Sequence, residues 1–513
     1  MRRDREDTPH TPRDMPSGTT VGTHVVYPRH SMKWMALQSV WGTAAVLLLA
    51  CAPSVRLKKG AGGGASQSSS AAGACTPGTC SSPCAGNHLW SHAFAGGMDH
   101  SFGGLAIDGS GNVVMAGLIF GPTDFGAGNT KFAGGDDPFL AKWDATGKLL
   151  WAKTWGGPHD EGLKDVDVDA DGNIYVTGFT DGDGIDLGTG NVLGTIFVAK
   201  LDPNGNPTWV RGYGTAQFDE GDTVRVDSNG RVVVAGQLMT SLDFGDGSLA
   251  PGQFLLVLDA GGQFVWSKRI ADGISYSMSV DRNGGVLVAG EYQSAVDLGG
   301  TILPAPKANG GLYLARIGAD KTVSWARPFN AAGNIGDRAL AVGATGTIFL
   351  GGDVTGMGDL GKESFNTSDL SGSQFIAAYD ASGQTLWTNF YGMGSFNGQP
   401  AVFGLAPDAA GSVAFIAELS GPVDFGGGAI AADDLNPRIA IGKLDGCGKH
   451  LWSRGVGSAT QYNLSAVRAR PNDNLLFAGK FGGSFSTPTI NFGGATFTDS
   501  DGGADLFLAE LSP

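Results

Sequence analysis

The sequence predicts an all-β chain folded as a seven-bladed β-propeller of four-stranded antiparallel blades, and three observations carry that expectation. Trp90, Trp151, Trp209, Trp266, Trp325, Trp387 and Trp452 recur at steps of 61, 58, 57, 59, 62 and 65 residues. A period longer than one supersecondary unit means that each copy cannot bury its apolar face alone and must stack on its neighbours. Upstream of each Trp, apolar residues alternate with a period of two, which marks strands and not helices. Finally, the last copy stops at Leu506 to Leu511 without a Trp strand, whereas the first copy opens with one, His88 to Phe94, that has no blade before it. That N-terminal strand is expected to complete the last blade and latch the ring, because radial closure protects sheet edges that an open array would expose.

Each copy reads in the same order. In the second, Asp165 to Asp169 (DVDVD) places Val166 and Val168 on one face and the aspartates on the other. The same register returns at Leu105 and Ile107, Val224 and Val226, Met278 and Val280, and Leu340 and Val342. A D-x-x-G turn follows this first strand, at Asp108 to Gly111, Asp227 to Gly230, Asp281 to Gly284 and Asp408 to Gly411. Asp closes an Asx-type turn there and Gly supplies a positive φ. The second strand (Asn173 to Gly178), a D-L-G stretch (Asp186 to Gly188) and the third strand (Phe197 to Asp202) come next. A second D-x-x-G turn, at Asp144 to Gly147, Asp259 to Gly262 and Asp380 to Gly383, leads into the Trp strand.

With these words laid out, the chain resembles the bacterial seven-bladed β-propeller repeat family, which includes lipoprotein members and whose copies carry an Asp-x-x-Gly-Asn turn and a Gly-x-x-Asp-x-Phe stretch. Gly111-Asn112, Gly172-Asn173 and Gly134 to Phe139 match best, over about residues 88 to 511. Copies five to seven depart from the pattern, with Gly343 and Arg470 in place of the turn Asp and Asp473 in place of the turn Gly. The resemblance implies the fold and an extracytoplasmic setting, and it implies no reaction. Asp144 to Trp151 and Asp380 to Trp387 are also similar to the tryptophan motif of the quinone-dependent propellers, in which Trp staples adjacent blades. Those enzymes carry adjacent cysteines over the quinone, and no Cys-Cys pair occurs here.

The N-terminus speaks to location. Met32 to Met35 opens a short basic start, an apolar run reaches Leu47 to Leu49, and Ala50-Cys51 closes it in the manner of a lipobox, with Cys51 as the acylated residue. The unbroken apolar stretch is short of the roughly 20 residues that span a bilayer. Residues 1–31 read as untranslated or unstructured, 32–50 as a lipoprotein signal peptide, 51–87 as acylated Cys and Gly/Ser tether with a cysteine cluster, and 88–513 as the propeller. Ala52 after Cys51 resembles the outer-membrane address of Gram-negative lipoproteins; the inner membrane or a cell surface are the alternatives.

Four further cysteines, Cys75, Cys80, Cys84 and Cys447, read in an exported chain as two disulfides. One of the N-terminal three is expected to staple the latch strand to Cys447 and the other two to close a small loop. Zinc is the rival reading, although no His lies within the trio and only His88 and His450 stand near it.

Residues 1–50 hold six of the 34 basic and four of the 49 acidic residues, so the remainder carries a formal charge of −17, which repels nucleic acid. Clustered turn carboxylates are candidates for calcium. Asp165, Asp167, Asp169 and Asp171-Gly172, joined by Asp181, Asp183 and Asp186, include D-x-D-x-D-G, the opening of a calcium loop, but Gly178 stands where its closing Glu belongs. Asp499, Asp501 and Asp505 form a second such group. Gly356 to Gly361 spells G-x-G-x-x-G without a following helix pattern, and Asp-Phe-Gly at 124, 243 and 424 recurs at equivalent positions, so both are turns of the repeat. His88, His92, His100, His159 and His450 show no nucleophile constellation.

The sequence therefore leads to a lipid-anchored, exported, monomeric propeller that binds an envelope protein or polysaccharide through the loops of one rim, without catalysis and without a defined cofactor beyond the calcium candidate. An envelope enzyme, glycan-active or quinoprotein-like, and a purely structural scaffold are the alternatives. The insertions between second and third strands, such as Asp359 to Ser371 and Asp424 to Asn436, are where function sits on a rigid scaffold.

Overall fold

The structure is a computed structural model that describes residues 86–513 apart from 97–99, 158, 182–183, 215–217, 273–275, 307–309, 368–372, 393–401, 420, 433–437, 459–464, 483–487 and 500–501. The expected signal peptide, Cys51, the tether, Cys75, Cys80, Cys84, Asp183 and Asp501 lie outside the described residues. Every described residue belongs to the compact unit Ala71–Pro513, and among them there is no helix.

The chain is a β-propeller whose blades are antiparallel four-stranded meanders. The first blade is Ser101–Ile107, Val113–Ile119, Asp137–Trp143 and Leu149–Thr154. The second is Glu161–Val168, Ile174–Thr180, Ile196–Leu201 and Pro207–Tyr213, and the third Glu220–Val226, Val232–Leu238, Gly252–Leu258 and Phe264–Arg269. The fourth runs Tyr276–Val280, Val286–Tyr292, Gly311–Ile317, Val323–Phe329, and the fifth Ala332–Val342, Ile348–Thr355, Ser373–Tyr379, Thr385–Tyr391. The sixth is Val402–Pro407, Val413–Leu419, Arg438–Leu444, His450–Ser458. The last blade draws Ser465–Ala469, Leu475–Gly482 and Ala504–Leu511 from the C-terminus, and its outer strand is His88–Phe94 from the N-terminus, paired antiparallel from His88 opposite Leu511 to Phe94 opposite Leu506.

Second and third strands are buried on both faces, as in Val113–Ile119 and Gly252–Leu258, because each blade is covered by a neighbour on either side. The apolar clusters accordingly span blade pairs. One unites Tyr175, Val198 and Trp209 of the second blade with Val224, Val234 and Leu256 of the third. Another unites Phe102, Met115 and Phe139 of the first with Ala466, Leu476 and Leu508 of the last.

The tryptophans carry out a specific part of this packing. Trp209, Trp266, Trp325 and Trp387 donate their indole N–H to the carbonyls of Ala260, Ala319, Ala381 and Gly446 in the next blade's second turn, at 2.9–3.2 Å. The turn glycine lies against the ring, so a Cβ on Gly147, Gly205, Gly262, Gly383 or Gly448 would come within 2.7–2.9 Å of Trp90, Trp151, Trp209, Trp325 or Trp387. Two residues beyond each Trp the chain always places a donor, and six of these reach a carbonyl of the same turn: His92 to Gly147, Lys153 to Gly205, Arg211 to Gly262, Lys268 to Lys321, Arg327 to Ser382 and Asn389 to Gly448. Arg454, the seventh, donates to Phe492 O at 2.7 Å. For Trp452 the facing turn is assembled from the two chain ends. Gly86, at φ +55, lies under its ring, and Ser512 and Asn87 are joined by hydrogen bonds of 2.8 and 3.0 Å.

In a meander the first and third turns share one end, while the second-to-third loops and the blade-to-blade connections share the other. The former are tight four-residue turns, D-x-x-G in most copies. The latter carry small hairpins, such as Leu242–Asp243 with Ser248–Leu249 and Met357–Asp359 with Ser364–Asn366. The three Asp-Phe-Gly stretches lie in these hairpins, where Asp124, Asp243 and Asp424 each accept two glycine N–H groups at 2.7–3.1 Å. Phe125, Phe244 and Phe425 turn into the core. Gly356 to Gly361 belongs to the same kind of hairpin.

Candidate functional site

The turn acids do more than close turns. Asp108 Oδ1 accepts the N–H groups of Ser110 and Asn112 at 2.9 and 2.8 Å, while Oδ2 accepts Asn112 Nδ2 and meets Lys142 Nζ at 2.9 Å. Lys142 stands two residues before the second turn Asp. The same place holds Lys200 opposite Asp169 at 3.8 Å, Arg316 opposite Asp281 at 2.6 Å and Lys443 opposite Asp408 at 2.9 Å. Where that position is Val257, Arg231 supplies the cation to Asp227 at 3.1 Å. In the fifth blade both partners are neutral, Gly343 and Ala378. In the last blade they are exchanged, so that Arg470 takes the acid's place and Glu510 the base's, 2.9 Å apart with both side chains about 4% exposed. Asn474, which would bond a turn Asp, instead donates to Glu510 Oε1 at 2.6 Å. Buried charge is tolerated only in pairs, which is why the partners change together.

The calcium candidate can be followed residue by residue. The four carboxylates are not gathered around one point. Asp165 is ion-paired with Arg225 and accepts Val224 N–H at 3.2 Å. Asp167 accepts Val226 N–H at 2.9 Å and Val168 N–H at 3.0 Å. Asp169 is saturated by Asp171 N–H, Asn173 N–H and Nδ2, and Tyr175 Oη. Asp171 is exposed at the turn. Among the described residues no group of three or more His, Cys, Asp or Glu side chains is placed to hold a metal ion. On an extended strand residues i and i+2 share a face but lie about 7 Å apart, so each carboxylate meets its own partner, whereas a calcium loop wraps them around one ion. Cys447 sits in the sixth blade's second turn, its N–H donating to Asp445 Oδ1 at 2.9 Å. Of the histidines, His88 and His450 make equivalent 2.9 and 3.0 Å contacts with Ser91 and Ser453 in the repeated His-Leu-Trp-Ser, and His100 is buried beside Thr123 Oγ1 at 3.1 Å.

On the axis, side chains of distant blades meet. Arg338, on the fifth blade's inner strand and 8% exposed, donates to Gly103 O of the first blade and to Lys164 O of the second, the latter at 3.1 Å, with its guanidinium over the Phe102 ring. Arg338 also forms a parallel bridge to Gly404 of the sixth blade. Arg225 binds Asp165 of the second blade and its own Val224 O at 2.6 Å. Arg468 of the last blade is partly exposed and donates to its own Val467 O at 3.0 Å. Arg468 is lowered to about 10, first by burial, with Arg225 and Arg338 adding to the shift and Asp165 and Asp167 opposing it. Burial raises Asp167 against the pull of Arg225 and Arg468. Burial works against charge on Arg225, but Asp165 and Asp167 outweigh it and hold it above its ordinary value. Three guanidinium groups thus share the axis with two carboxylates.

Above this cluster, at the tight-turn end, a cavity of about 480 Å³ opens. Its wall is built from turns of the first, second, fourth, fifth, sixth and last blades and includes Val168, Arg282, Ala469 and Arg470. Val168 and Ala469 directly follow Asp167 and Arg468, so the charged cluster lies one residue below the wall. The wall acids Asp108, Asp169 and Asp408 already have their cations. Arg282 is exposed at the mouth. Sequence reading singled out Asp167 as a calcium candidate, whereas Arg225, Arg338 and Arg468 gave no signal beyond a charged residue on an inner strand.

No family model matches the chain, and neither does any curated protein. Among solved structures it is similar to a protein of unknown function from Bacteroides caccae (12% identity over 57% of this chain and 84% of that one, TM-score 0.32). It is also similar to the Dos1 propeller (10%, 81% and 93%, TM-score 0.40) and to a protein of unknown function from Dyadobacter fermentans (11%, 82% and 98%, TM-score 0.37). At these values none of them assigns a function.

Proposed function

We propose that the chain is an exported, lipid-anchored propeller of seven blades, closed by its own N-terminal strand, that binds a protein partner at the cell envelope through its loop rim and performs no catalysis. Closure is supported by the pairing of His88–Phe94 with the last strand, by Gly86 under Trp452 and by the apolar cluster joining first and last blades. The binding reading rests on one observation. Large apolar side chains stand exposed on the loop rim of four consecutive blades: Leu193, Phe218, Met239, Ile302 and Met357. Such exposure on a rigid rim marks an interaction surface. Phe218 is the one aromatic among them, and a polysaccharide site would present stacked rings, so the composition favours protein over glycan.

The test is a photo-crosslinking amino acid placed in turn at Leu193, Ile302 and, as control, Leu150 on the outer strand of the first blade, in intact cells. The proposal expects one defined protein captured from the two rim positions and not from Leu150. Equal capture at all three positions, or none at the rim, overturns it.

A further inference from the structure

The charged axis carries an inference separate from the loop rim. The chain is acidic, with a formal net charge of −15, and nearly all its turn acids are consumed in pairs, yet Arg225, Arg338 and Arg468 converge beneath an open cavity, with Asp165 and Asp167 beside them among the described residues. Arg225 is committed to Asp165, and Arg338 to the carbonyls of Gly103 and Lys164. Arg468 is different. Its Nη1 bonds the adjacent Val467 O, and no hydrogen bond or carboxylate contact holds its Nε or Nη2 among the described residues. A guanidinium presents a planar fork suited to two oxygens of one anion. Arg282 stands at the cavity mouth, where it draws anions inward.

We infer that the axial cavity is a binding site for a small organic oxyanion, a carboxylate or phosphate ester, whose charged end is held by Arg468 with Arg225 and Arg338 behind it. The cavity suits a small molecule: about 480 Å³ lies within the range of ligand pockets, on the order of 300–1,000 Å³. Its wall supplies apolar contacts from Ile107, Val168, Val342 and Pro407 for the uncharged part. The anion enters from the tight-turn end, opposite the proposed protein-binding rim, so both ligands can be bound together. Arg338 reaches from the fifth blade to the first and second below the cavity.

Inorganic phosphate and citrate are the probes, titrated calorimetrically into the full-length protein at low and high sodium chloride. The expected result is saturable one-to-one binding of at least one probe that weakens as salt rises. Arg468→Gln, which keeps chain length and a donor for Val467 O, is expected to weaken binding about tenfold or more with an unchanged melting curve. Arg282→Ala, at an exposed position with no part in folding, is expected to weaken it about threefold, a screened surface effect. Failure of both probes to bind overturns the inference, as does binding that neither substitution alters. Should Arg468→Gln not fold, the Arg282→Ala titration alone decides, and unchanged binding there overturns it.

Discussion

The exchanged ion pair of the last blade offers the sharpest test of the packing logic. Arg470→Asp alone strips Glu510 of its cation and brings a second carboxylate into the same buried site, both positions being about 4% exposed. Removing one partner of a buried pair costs about 3–5 kcal/mol, and two like charges near 4 Å add up to about 4 kcal/mol at an effective dielectric constant of 20. Partial protonation trims that sum, so a loss of about 4 kcal/mol is expected, and Glu510→Lys alone should lose a similar amount beside Arg470. The double substitution recreates the Asp and Lys arrangement of Asp108 with Lys142 and of Asp408 with Lys443. It forfeits the Arg470 bond to Gly111 O, worth about 1 kcal/mol, but gains the Asx-turn bonds that Asp408 makes, such as Ser412 N–H at 2.8 Å. The double variant should lie within about 2 kcal/mol of the parent, giving a coupling energy well above about 3 kcal/mol in a cycle measured by urea unfolding. Additive losses, equal within about 0.5 kcal/mol, would refute the view that the two positions are one exchanged pair.

Other consequences follow from single sites. Asp353, buried beside Asn334 Nδ2, is pushed up to about 7, first by burial, with Glu291 adding to it. Its folded-state value lies above its unfolded one, so the folded state holds its proton more tightly and stability falls as pH rises from about 4 to 7, by up to about 4 kcal/mol. Asp353→Asn should flatten that slope and raise the melting temperature at pH 8; a parallel pH profile would sink the assignment. Asp473 stands at φ +64 where other copies use Gly, so Asp473→Gly should stabilise by up to about 1 kcal/mol in denaturant unfolding, and a loss would contradict the strain. Gly383→Ala sets a Cβ 2.8 Å from the Trp325 ring at φ +76 and should cost about 2 kcal/mol or more, whereas a change below about 0.5 kcal/mol would show that the ring yields freely.

Strands and turns were legible in the sequence because each depends on neighbours along the chain: a period of two, an Asp two to four residues from the N–H groups it accepts, a Gly at positive φ. The Trp repeat announced stacking for the same reason, and the departures at Gly343, Arg470 and Asp473 were visible as exceptions. What they meant was not. For Asp108, Asp169, Asp281 and Asp408 the cation comes from a strand more than thirty residues further on, and only the pairing of strands shows that Glu510 answers Arg470 and that Ala378 answers Gly343. The donor two residues after each Trp was equally in view, but its acceptor is a backbone carbonyl more than fifty residues away, which leaves no mark in composition. The same limit applies to D-x-D-x-D-G, which records spacing, while only the neighbouring strand and turn show which partner each carboxylate meets. The axis was decided by tertiary structure alone, because Arg225, Arg338 and Arg468 belong to three blades and share no neighbourhood until the inner strands converge.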